Sequence, residues 1–267
     1  MKNIALIAGI TFKEALRNRI LLSILCFAAA IFGLNFTLAD SFNFELSKVA
    51  VDISMSAIAL CSLLIIFILC INQLGRDIDR RIVFLFLARP LARYEYILGK
   101  FCGFAALLLL TEFILGGGGA MSVWIIAHFR PAYVAVNFGW GMFALALLFH
   151  FTGCLMLLAC AMLFAVLSTS TFLAVLFTLG VYFAGQYLER VITLLTIGAD
   201  SSSPVLVFLK WAAWLLPNLA AFDLKQHAAY GLTLAPSLAG CTLLYGLAYT
   251  VLVLLLTTFV FSRKELS

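Results

Sequence analysis

Charge is scarce in this sequence: Lys, Arg, Asp and Glu make up 11% of its 267 residues, where a soluble domain carries about 25%. Long polar linkers are missing as well, so one domain covering residues 1–267 is expected. Histidine occurs three times and no cysteine pair has C-x-x-C spacing, which leaves little material for a metal or redox centre. The seven cysteines fall almost entirely inside apolar runs and read as small packing residues. No GxxxxGK[ST] loop is present, so the chain has no phosphate cradle of the kind an ATPase needs, and its few carboxylates form no obvious Mg²⁺ site. No soluble element is large enough to present a basic patch, so nucleic acid is not an expected partner. Met1–Arg19 is too polar for a removable signal peptide, and none is expected.

What the chain has in excess is apolar surface. Hydrophobic residues make up 65% of it, and the mean hydropathy is +1.15. A water-soluble fold of this size cannot hide so much. An all-α integral membrane protein is expected, because only helices and closed barrels satisfy their backbone in lipid and the apolar runs here are helix-length. Six runs are long enough to span: Ile20–Leu38, Ile53–Leu74, Tyr96–Ala127, Phe138–Leu167, Phe172–Leu195 and Leu238–Phe261. A seventh, Val205–Leu216, is short, carries Lys210 and ends at Pro217. It is expected outside the bilayer core as an interfacial or re-entrant helix within an external link, 198–237, and Trp211 and Trp214 suit headgroup depth.

Six spans with the N-terminus inside place twelve of the seventeen Lys and Arg residues on the cytoplasmic side. The positive-inside rule then puts both termini in the cytoplasm. Ahead of the first span, Ile4, Ala8, Phe12, Leu16 and Ile20 recur every four residues while Lys13, Glu14, Arg17 and Asn18 take another face. This predicts an amphipathic interfacial helix over residues 1–19. The link between spans two and three, 76–95, holds six of the twelve inner cations: Arg76, Arg80, Arg81, Arg89, Arg93 and, just beyond, Lys100. In it a helix-compatible run, Ile82–Leu87, is stopped by Pro90. A membrane hairpin needs only a few polar residues here. Phe84 and Phe86 among arginines suit a short cytoplasmic helix that docks on another protein, aromatic and Arg side chains being the usual interface anchors. The plainer reading is a positive-inside anchor whose apolar residues lie on lipid.

Asp79-Arg80-Arg81-Ile82-Val83, then Leu87-Ala88-Arg89-Pro90-Leu91-Ala92-Arg93, then Ile97-Leu98-Gly99-Lys100 resembles the signature link of ABC-2-type transporter permeases. The similarity is greatest to the branch that includes the permease of the copper-maturation system for nitrous-oxide reductase. Leu216-Pro217-Asn218-Leu219 and Phe222-Asp223-Leu224 before the last span, and a basic tail, extend the resemblance over the whole chain. It implies a permease subunit, an expected exporter, in a bacterial or archaeal cytoplasmic membrane. Its link would be a coupling helix seated in a separate ABC ATPase, which binds ATP and Mg²⁺; the permease itself binds no cofactor. A second copy, or a homologous permease, completes the assembly. The resemblance maps ATPase docking onto Asp79, Arg80, Arg81, Phe84, Phe86, Arg89, Pro90 and Arg93. The Glu-Arg-Gly-Thr start common in the family is replaced by Asp79-Arg80-Arg81-Ile82, so no Gly-Thr role carries over.

Two intramembrane polar residues complete the candidates. Glu112, midway along the third span, reads either as a translocation-path or gating residue or as a structural hydrogen bond between helices. His150, near the middle of the fourth, is assigned the same path or gating role, with a packing hydrogen bond as the alternative. Gly116–Gly119 predicts a kink or a close helix contact. Two rival functions remain. One is a permease-like anchor that transmits force to envelope proteins, such as a periplasmic partner, without passing a substrate. The other is an intramembrane enzyme, which needs several converging groups where the sequence offers little beyond Glu112 and His150.

Overall fold

The computed structural model describes residues 2–41, 46–79, 92–129, 139–198, 204–232 and 234–263, and among them every regular element is helical. In chain order these are α1 (Lys2–Leu16), α2 (Arg19–Ser41), α3 (Leu46–Leu64), a π-helical segment (Ile65–Cys70), α4 (Ile71–Asp79), α5 (Arg93–Phe129), α6 (Trp140–Leu167), α7 (Thr171–Gly198), α8 (Pro204–Leu215), a 3₁₀ turn (Ala220–Phe222), α9 (Lys225–Tyr230) and α10 (Pro236–Arg263). Five stretches are long and apolar enough to cross a membrane: Lys48–Asp77, Arg93–Ile125, Trp140–Leu167, Thr171–Thr196 and Pro236–Arg263. The expected first span lies within the 23-residue α2, whose apolar stretch Leu21–Ala30 is shorter. Large apolar side chains such as Phe113, Phe172, Leu244 and Leu255 face outward. The chain is therefore built as a multi-pass membrane protein.

α5 and α6 form the centre. α5 touches α1, α2, α3, α6 and α10, and α6 is buried almost continuously from Thr152 to Met162. The four-glycine run does not break α5, which stays helical over 37 residues. The glycines are a contact surface instead. A Cβ on Gly116 would meet Leu147 of α6, one on Gly118 would meet Phe32 of α2, and one on Gly119 would lie 3.0 Å from Ser54 Cβ of α3. Small residues let helices approach closely enough for dispersion to hold them together where lipid offers no hydrophobic drive.

The same device seats α1. Ile7, Thr11 and Ala15, spaced by four, are buried against the start of α5, where Gly99 and Gly103 leave room for them. The buried stripe thus lies one residue before the Ile4–Ala8–Phe12–Leu16 stripe read from the sequence. Leu6 and Ile10 remain exposed on the far side. A Cβ on Gly103 would stand 2.8 Å from the carbonyl oxygen of Ala8, so Gly103→Leu is expected to lift α1 off α5. Faster proteolysis of the first 16 residues in detergent, with the rest of the chain intact, is the readout.

α3 and α4 are one continuous rod joined through the π segment, whose Ile71 N–H reaches Ile66 O across five residues. The link between α7 and α10 turns back on itself. α8 enters from the end where α7 finishes, and α8 and the Ala220–Tyr230 element meet at a 55° bend. Leu219 N–H donates to Gly185 O at 3.1 Å, halfway along α7. Phe222 packs beside Gly153 of α6 and Gly246 of α10. α9 then climbs back until Tyr230 lies under the Lys48 ammonium, 4.7 Å from the ring centroid, at the start of α3. The link thus enters between the helices and turns back, and we call this fold-back the re-entrant loop from its course within the bundle. Backbone away from helices is tolerated at such depth only where protein satisfies it. Tyr245 OH accepts from Asn218 N–H, Tyr249 OH donates to Leu215 O, and Glu189 Oε2 accepts from Asn218 Nδ2 at 2.7 Å.

Candidate functional site

Two places concentrate polar chemistry, and they lie at different depths. The first flanks the 80–91 link, which itself falls outside the described residues. That exclusion covers Arg80, Arg81, Phe84, Phe86, Arg89 and Pro90. Asp79 is the last residue of α4 and Arg93 the first of α5, so the two helices bracket the link. Two residues before Asp79, Asp77 is buried and forms an ion pair with the buried Lys100 at 2.5 Å. Tyr96 OH donates to the same Asp77 oxygen, Oδ2, at 3.0 Å. A charge this deep is tolerable only when it is paired and hydrogen-bonded. Arg93 Nη1 donates to Ser262 O at 2.7 Å and, more weakly, to Phe261 O at 3.4 Å, where the carbonyls at the end of α10 lack helical partners. The Tyr96 and Phe261 rings stack with centroids 5.9 Å apart, and Asn3 Nδ2 donates to Glu95 Oε2 at 3.1 Å. The start of α5 is thus tied to α1, α4 and α10 together.

The second place is a cavity of about 370 Å³ inside the bundle, walled by α3, α6, α7 and the re-entrant loop. Each helix presents one stripe to it: Met55, Ala59 and Leu63 from α3; Ala146, His150, Cys154 and Leu157 from α6; Tyr182, Gln186 and Arg190 from α7. These spacings of three and four are what one face of a helix offers. Asp223 and Lys225 of the loop close the wall, 3.7 Å apart.

Glu112 and His150 meet. His150 Nδ1 lies 3.0 Å from Glu112 Oε1, joining α5 to α6. His150 is in the cavity wall, whereas Glu112 stands behind it, buried and away from the lining. Cys154, one turn along α6, has its sulfur 3.6 Å from His150 Nε2. Glu112 thereby holds the imidazole in place, and the ring shows its other edge to Cys154. Among the described residues no group of three His, Cys, Asp or Glu side chains is arranged to hold a metal ion.

Sequence reasoning assigned no site role to Cys154, Gln186, Arg190, Asp223 or Lys225. The four-residue rhythm of Tyr182, Gln186 and Arg190 was the available signal for α7. A re-entrant helix was one reading of the 198–237 link, but nothing in the sequence indicated that the link would complete the wall of a cavity.

No protein-family model and no curated protein matches this chain. Fold and site define a class: an all-helical, multi-pass membrane protein with a partly open polar cavity between its helices and a buried ion pair where α4 and α5 converge.

Proposed function

We propose that the chain is the permease subunit of an ATP-driven transporter of the ABC-2 type, working beside a separate ATPase that supplies ATP hydrolysis. Counting α2 as the first span gives six, with both termini on the cytoplasmic side of a bacterial or archaeal inner membrane and α1 along its surface. The docking segment lies in the 76–95 link, with Arg80, Arg81, Phe84, Phe86, Arg89 and Arg93 as the anchors. A second permease, identical or homologous, completes the assembly.

The observation that carries this reading is the anchorage on both sides of the link. A push on 80–91 meets Asp77 on one side and Tyr96 and Lys100 on the other, and through Arg93 it meets the end of α10. A plain hairpin turn needs no such fastening. Motion delivered there is passed to rigid helices, as alternating access requires. A cavity with polar lining between the helices favours passage of a substrate over force transmission alone.

The test is co-purification from membranes in mild detergent, wild type against the double variant Phe86→Ala with Arg89→Glu. A nucleotide-binding protein is expected to co-elute with the wild type and to be lost from the variant at equal membrane insertion. Absence of any ATPase from the wild-type preparation refutes the assignment.

A further inference from the structure

The cavity walls are not uniform along the helix axes. At the end away from the 80–91 link they carry the charged and amide groups: Arg190 and Gln186 on α7, Asp223, Lys225 and Gln226 on the loop. Towards the link they become apolar, ending on Leu63 of α3 and Leu157 of α6, each past the middle of its membrane-spanning rod. His150 stands between the two zones, its Nδ1 taken up by Glu112 Oε1 at 3.0 Å.

Within the polar zone Lys225 is matched by Asp223 at 3.7 Å. Arg190 is exposed, lines the cavity and forms no ion pair among the described residues. Its neighbour Glu189 is engaged instead with Asn218. The polar end therefore has one guanidinium in excess, and that group presents five donors in a planar fork suited to an oxyanion. Tyr182 and Tyr187 beside it add hydroxyl groups on aromatic bodies, which tolerate both a polar head and an apolar neighbour.

We infer that this cavity binds an amphiphile with an anionic head group, the head on Arg190 and one apolar chain running along Met55, Ala59 and Leu63 towards Leu157. A volume of about 370 Å³ is at the small end of ligand sites, which run from about 300 to 1,000 Å³. It suits a single chain and a compact head. In the orientation proposed above, the head faces the outer side and the chain points to the bilayer centre, as a lipid of the outer leaflet would. The leaflet rests on that orientation. The binding itself does not depend on an ATPase, so it is tested on the permease alone.

Native mass spectrometry of the purified protein in a neutral detergent measures adducts with three probes: dodecyl phosphate, dodecyltrimethylammonium and inorganic phosphate. One saturable dodecyl phosphate adduct is expected, with neither of the others bound comparably. Arg190→Gln should weaken it about tenfold or more, as loss of a charge-assisted bond does, and Arg190→Lys should restore part. Leu63→Trp, which fills the apolar end, should weaken it as well. Lys210→Gln, an exposed cation on α8 outside the cavity, should leave it unchanged. Equal binding by wild type and Arg190→Gln overturns the site, as does equal binding of dodecyltrimethylammonium. Inorganic phosphate bound as tightly as dodecyl phosphate overturns the amphiphile and makes the site one for a free anion. Loss of the ATPase in the co-purification experiment with dodecyl phosphate binding intact would separate failure of the transporter reading from failure of this one.

Discussion

Replacing Lys100 with Met is expected to lower the stability of the bundle by about 3–5 kcal/mol, while the double replacement Asp77→Asn with Lys100→Met recovers much of the loss. The asymmetry follows from where the pair sits. Both side chains are buried, and Asp77 Oδ2 receives both the ammonium and the Tyr96 hydroxyl. Removing the ammonium leaves a carboxylate out of water with one neutral donor, and an uncompensated buried charge is what costs the energy. Converting Asp77 to an amide removes that charge together with its partner, and Tyr96 keeps an acceptor. Thermal melting of the purified single and double variants in one detergent gives the coupling energy as a double-mutant cycle. Single variants that melt with the wild type, or a double variant worse than the two singles combined, would show that the pair does not hold α4 to α5.

The re-entrant loop should fail in a graded way when its glycine seats are filled. Gly185→Ala is expected to be the most damaging, because its new Cβ would lie 2.5 Å from the backbone oxygen of Pro217, which has no rotamer to escape into. It also disturbs the residue whose carbonyl accepts from Leu219 N–H. Gly246→Ala comes second: its Cβ would meet the Phe222 ring tip at 2.7 Å, and a ring can swing aside. Gly153→Ala, at 3.2 Å from Phe222 Cβ, should be the mildest. Overpacking of this kind costs about 1–3 kcal/mol. Two measurements check the order: the melting temperature, and the rate at which trypsin cuts after Lys225, which is half-buried while the loop is seated. Equal melting and equal cleavage in all three variants would mean that the loop is not held by these contacts.

The rods of this fold were legible in the sequence, and the seams were not. Each long helix matches an apolar run to within a few residues, because lipid demands about 20 apolar residues in helical form and the chain has little else. What the sequence could not show is how rods face one another when nearly every residue is apolar. The stripe that buries α1 is Ile7, Thr11 and Ala15, chosen by where Gly99 and Gly103 open α5 and not by hydrophobicity. The π segment is hidden for the same reason, since Ile65–Cys70 is an apolar run that reads as helix at any pitch. Glu112 and His150 were conspicuous as polar residues in apolar spans, but their meeting needs α5 and α6 side by side. The cavity was the least legible feature, because one wall is a loop whose depth is fixed by glycines on three separate helices.

The dimensions of α5 bear on how small a push at one end can matter. Its 37 residues make a rod about 55 Å long, fastened at its first turns to α1, α4 and α10. Two-thirds of the way along, it rests on α2, α3 and α6 through Gly116, Gly118 and Gly119, positions with no side chain to interlock. A lever of that length tilted by roughly 5° about its base carries its far end through roughly 5 Å. A tilt of that kind would be felt first where Gly116, Gly118 and Gly119 bring α5 close against α6, α2 and α3.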